Sequence, residues 1–126
     1  MNSRLIRTDK APLPVGPYSQ AVSCGDFLFI SGQIALDPHS GTICGTTTEE
    51  QTRCVMHNLR AILHSQGLKV TSLVKTTVFL KDMADFPSFN SVYEKELQGA
   101  KPARSVVEVS SLPMDGRVKI EAVACR

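Results

Sequence analysis

With 126 residues, 42% of them hydrophobic and 21% charged, the chain has material for one core, and residues 1–126 read as a single domain. A net charge of +2 sets up no long-range field, which argues against nucleic acid as a partner, and no run of about eighteen apolar residues offers a membrane span. The first residues, MNSRLIRTDKAPLP, lack the continuous apolar stretch of a signal peptide, so a cytoplasmic protein is expected, with an organelle left open.

Pro12, Pro14, Gly16 and Pro17 predict an irregular N-terminal arm. The stretch YSQAVSCGDFLFISG then places two short apolar runs around Gly25-Asp26, a pair suited to a hairpin turn. LDPHSGTICG reads as loop. Thr48, Glu49, Glu50 and Gln51 form a candidate capping box, and Val55, Met56, Leu59, Ile62 and Leu63 follow at helical spacing up to Gly67. Leu73 to Leu80, LVKTTVFL, is β-branched and apolar, which predicts a central strand. Phe86, Phe89, Tyr93 and Leu97 make the apolar stripe of a second helix, with Asp85 near its cap, Pro87 in its first turn and Gly99 at its end. Two more strands, Ser105 to Val109 and Arg117 to Ala124, flank the turn LPMDG.

The order β-β-α-β-α-β-β calls for a two-layer α+β domain, a mixed sheet with both helices on one face. Val107 and Val109 are expected on the other face, and a bare apolar sheet face in so small a domain predicts self-association. The four cysteines, Cys24, Cys44, Cys54 and Cys125, are scattered without a C-x-x-C pair and read as reduced thiols. His57 and His64 lie seven apart on the first helix, read as solvated positions, and no metal site is expected.

No P-loop, Rossmann fingerprint or nucleophile elbow is present. Isolated polar residues remain at the borders of apolar runs: Tyr18, Ser31 with Gly32, Asn90, Arg104 and Glu121. Arg104 opens the otherwise apolar run ARSVVEV. A planar guanidinium there can hold a carboxylate through two parallel hydrogen bonds, or it can pair with a carboxylate of another subunit.

The stretches GPYSQAV, ISGQIALDPHSG, LVKTTVFL, DFPSFNSVYEKEL, KPARSVVEV and KIEAVA, in this order, resemble the RidA (YjgF) family over nearly the whole chain. The resemblance implies a chorismate-mutase-like domain with a six-stranded or similar sheet, assembled as a homotrimer with a central barrel and clefts between subunits. It further implies hydrolysis of reactive enamines and imines, 2-iminobutanoate and 2-iminopropanoate, to 2-oxo acids and ammonia, with no cofactor and no metal. By position, Arg104 would anchor the substrate carboxylate, Ser31 and Gly32 would line the cleft, Tyr18 would close one wall and Asn90 would border it. The chain departs from the family at Lys119, where members commonly carry the glutamate that orients water. An ammonium has no lone pair with which to take a proton. Glu121, one period-two step along the same strand face, is the candidate stand-in, and the alternative is a trimer that binds small carboxylates without turnover. A ribonuclease, attached to some relatives, finds no basic-aromatic surface motif in its support.

Overall fold

The computed structural model describes residues 2–126. Six strands form one mixed sheet in the order β1-β2-β3-β6-β4-β5: β1 (Ser3–Ile6), β2 (Ala21–Cys24), β3 (Phe27–Gln33), β4 (Leu73–Leu80), β5 (Ala103–Glu108) and β6 (Val118–Cys125). Only β4 and β5 run parallel; the other neighbours are antiparallel. The helices are α1 (Thr48–Ser65) and α2 (Phe86–Glu96). Each follows one strand and precedes another, and β6 returns last to insert between β3 and β4. Among the described residues no helix is long and apolar enough to cross a membrane.

Strict alternation along β6 builds the two faces. Val118, Ile120, Ala122 and Ala124 are buried, while Lys119, Glu121, Val123 and Cys125 turn the other way. The buried set meets Val55, Met56, Leu59, Ile62 and Leu63 of α1 and Phe89 and Tyr93 of α2 in one core. Burying each large side chain of this kind stabilises by about 1.5–3 kcal/mol before ordering costs. Both helices therefore share one side of the sheet, as the alternation demands.

Several elements differ from the sequence reading. Thr47, not Thr48, caps α1: its hydroxyl accepts from Glu50 N at 3.1 Å, and Glu50 Oε1 accepts from Thr47 N at 3.1 Å. The Thr47 N–H, with the Thr47 hydroxyl and the Thr46 N–H, holds the Glu50 carboxyl below its usual range. Thr48 is thereby free to donate to Asp85 Oδ2 at 2.9 Å, tying the start of α1 to the start of α2. The arm also contains a strand, β1, paired with β2. Beyond it the arm is fastened by Gln20, 1% exposed, whose amide donates to Thr8 O, Ala11 O and Pro12 O and accepts from Thr8 N. Val109 lies past the end of β5, so Val107 shares the open face with Ser105 instead, opposite Phe79 and Thr77 of β4.

Candidate active site

Arg104 sits on β5, at the edge of the sheet, paired with Thr76 of β4. Thr76 is buried, so the same register turns Arg104 to the helix side. There Phe86, Asn90 and Tyr93, spaced four and three apart, present one helical face. The Arg104 guanidinium lies 5.1 Å from the Tyr93 ring centroid and 5.5 Å from that of Phe86, and Nη1 donates to Asn90 Oδ1 at 2.7 Å. Tyr93 is fixed in turn by a 2.6 Å hydrogen bond between its hydroxyl and that of Thr76. Burial pushes the Tyr93 phenol above its ordinary 10.0, opposed by the Thr76 hydrogen bond and the Arg104 charge. No carboxylate among the described residues pairs with Arg104. Arg104 borders a cavity of about 800 Å³ whose lining includes Asn90, Tyr93, Glu94, Leu97, Lys101 and Pro102. The arrangement is that of a pre-oriented fork with room for an anion in front of it.

Ser31 and Gly32 form a second group. The register between β3 and β6 shifts between Ile30 and Gln33, which makes a bulge at these two residues. Ser31 is tied back to the arm: its N donates to Gln20 O at 2.9 Å and its hydroxyl to Ser19 O at 2.6 Å. Lys119 lies directly over Gly32, so a Cβ there would push the Lys119 stem aside. Glu121, exposed and cross-strand from Thr77, borders a shallow depression of about 300 Å³ on the open face together with Ser31, Lys75 and Phe29. Neither Lys119 nor Glu121 has an ion-pair partner among the described residues. Tyr18 stands half exposed on the arm, its ring against Gly16.

One chain does not bring the two groups together. From β3 to β5 the order crosses β6 and β4, roughly 14 Å at ordinary strand spacing. Arg104 and Asn90 lie on the helix side, whereas Lys119 and Glu121 face the open side. Within one chain Lys119 and Arg104 stay apart, because the pleat points them to opposite faces of the sheet. Sequence reading assigned Phe86 and Tyr93 to the core stripe alone and passed over Gln20. The spacing of Phe86, Asn90 and Tyr93 was the available signal for the cradle.

The family model described as Endoribonuclease L-PSP matches residues 8–126. A RutC family protein of Pyrococcus horikoshii is 49% identical over 120 residues, spanning 95% of each chain. A 2-iminobutanoate/2-iminopropanoate deaminase of Salmonella typhimurium is 44% identical over 127 residues, spanning 98% of each. Among solved structures, Escherichia coli TdcF with bound serine superposes with a TM-score of 0.92 at 40% identity, covering 98% of both chains. Sequence and fold agree across nearly the full length, and the chain belongs to the Endoribonuclease L-PSP family, also known as the YjgF/RidA family.

Proposed function

We propose that the protein hydrolyses small 2-imino acids such as 2-iminobutanoate and 2-iminopropanoate, and that the working site forms between copies of a homotrimer. The observation that carries this reading is Arg104: a guanidinium over two rings, steadied by Asn90, bordering a cavity and without an ion-pair partner among the described residues. The 44% identity to a chain bearing the deaminase name supports the reaction class. The separation of the two residue groups, with Phe27 and Phe29 exposed on the open face, supports assembly as the step that joins one copy's Arg104 to another's Ser31–Gly32 bulge.

In this reading Arg104 binds the substrate carboxylate and fixes the C=N carbon in the cleft. Water adds to that carbon of the protonated imine, a proton leaves the water, and the carbinolamine collapses to the 2-oxo acid as ammonia departs. Glu121 is the carboxylate on the bulge side that can accept the proton, since Lys119 as an ammonium cannot. The substrate's own electrophilic carbon requires no further cofactor for this step.

A coupled assay tests it: a threonine dehydratase supplies the imine, and formation of 2-oxobutanoate is followed with and without the protein. A faster rate that disappears with Arg104→Ala is expected; equal rates with and without the protein overturn the reading. Lys119 lying over Gly32 favours one second reading, a trimer that holds 2-oxo acids without turnover. Calorimetric binding of 2-oxobutanoate by a protein inactive in the coupled assay, with activity gained in Lys119→Glu, would select it.

A further inference from the structure

A cluster of reactive side chains lies between α1 and the hairpin at residues 36–43, and it shares no residue with the Arg104 cavity. The hairpin is closed by the Leu36–Ile43 bridge and by Asp37 N donating to Thr42 O at 2.9 Å. Its tip is set by Asp37 Oδ1, which accepts from His39 N and Ser40 N. At its base Cys44 N donates to Ala35 O at 2.7 Å. Helix α1 grips the same base through Leu36 O, which accepts from Asn58 Nδ2 at 2.9 Å and from the Cys54 thiol at 3.6 Å. The side chains of Cys44 and Cys54 thus approach one cavity from hairpin and helix. Both border a cavity of about 640 Å³ beside Asp37, His57 and Asn58.

Two small thiols in a gap can be mere filling. Here, however, they come from two different elements, are half-buried and open to one cavity. The other two cysteines provide the contrast. Cys24 and Cys125 lie on opposite sides of β3, both in register with Phe27. Two strand spacings put their Cα atoms roughly 9.5 Å apart, beyond the reach of about 7 Å that a disulfide tolerates.

We propose that Cys44 and Cys54 are a redox site, a dithiol that a low-molecular-weight disulfide such as oxidised glutathione closes to an intramolecular disulfide. The Cys44 thiolate attacks one glutathione sulfur and expels one glutathione thiolate, leaving a mixed disulfide on Cys44. Cys54 then gives its proton to water and attacks the Cys44 sulfur, expelling the second glutathione. Two protein S–H bonds become one S–S bond, and one glutathione disulfide becomes two thiols. The order follows from burial and from the neighbouring Cys44 thiol, which push Cys54 up to about 12 and keep it protonated at the outset. The product fastens the hairpin base to α1 by a covalent link in place of the weak thiol contact to Leu36 O.

The test uses the full reduced chain incubated with oxidised glutathione. Intact mass should fall by two hydrogens, and a non-reducing peptide map with cleavage at Asp37, which separates Cys24 from Cys44, should show Cys44 joined to Cys54. The link should persist in Cys24→Ser/Cys125→Ser and be absent in both Cys44→Ser and Cys54→Ser. Oxidation should raise Tm, and dithiothreitol should return it to the starting value. Glutathione adducts without a Cys44–Cys54 link in the wild-type map, or a link through Cys24 or Cys125 instead, would overturn the proposal whatever the variants do.

Discussion

Arg104 and Lys119 are both cations on strands rich in apolar residues, yet the chain treats them in opposite ways. Arg104 receives two aromatic rings and the Asn90 carbonyl from α2, with Tyr93 held from behind by Thr76. The Lys119 stem lies over Gly32, and neither Lys119 nor Glu121 beside it has an ion-pair partner among the described residues. The difference separates a half-site that one chain completes from a half-site that it leaves unfinished. A group that must hold a ligand's charge in one geometry gains from being ordered beforehand, because the entropy of fixing it is not lost at binding. Under the assembly proposed above, the open face keeps its groups unsatisfied until another copy meets it.

The sharpest way to break this comparison is Arg104→Ala. Losing a charge-assisted contact to a carboxylate costs about 3 kcal/mol, so kcat/KM for the imine should fall on the order of a hundredfold, with Tm nearly unchanged because Arg104 is exposed. Arg104→Lys should recover little, since a point charge lacks the fork. A large Tm drop would show that the cradle serves the fold and not a ligand. Next comes Glu121→Gln, which should lower kcat by about a hundredfold if this carboxylate takes the proton. Unchanged kcat would remove Glu121 from the reaction and leave orientation by Arg104 as the main contribution.

Periodicity made the helices and most of the sheet readable. Leu73–Leu80 and the α1 stripe emerge as the β-branched and helical patterns predict, because these patterns are what burial selects. The cap shifted by one residue because Glu50 stands at N3 of Thr47, and three consecutive threonines offer no local way to choose among themselves. Strand β1 was hidden by its exposure: Ser3, Arg4 and Leu5 face solvent, so no apolar alternation marks it. In the site, Arg104 and Asn90 could be named from the chain, but their pairing arises from the β4–β5 register, a long-range fact. Gln20 left no signal at all. A buried glutamine that satisfies a proline-rich arm looks, in sequence, like any polar residue before a strand.

Gln20 tests whether the unfinished half depends on the arm. Gln20→Ala strands three carbonyls and the Thr8 N–H, and unmet buried groups of this kind cost about 2 kcal/mol in all after partial rewetting. Differential scanning calorimetry should show Tm lower by roughly 8 °C. Because Ser31 bonds to the backbone of Ser19 and Gln20, the bulge should loosen with the arm, seen as faster amide exchange at Ser31. Unaltered exchange there would uncouple arm from bulge.

The smallest effect concerns the finished half and its pH dependence. Burial raises the Tyr93 phenol above 10.0, so below that pH folded and unfolded chains both keep the proton and its contribution is whole. As pH rises past 10 the unfolded phenol ionises first, and stability drains away until the folded group ionises too. Cys54, raised from 9.0 to about 12, adds its own loss beginning a unit lower. Tyr93→Phe should cost about 1 kcal/mol at neutral pH, the Thr76 hydrogen bond forgone, yet lose stability less steeply than the wild type above pH 10. Urea midpoints measured from neutral pH into this range should therefore converge. Parallel curves would mean that the Tyr93 hydroxyl meets solvent as freely in the fold as outside it, and the ring beneath Arg104 would then be a lid on the cavity and not a buried wall.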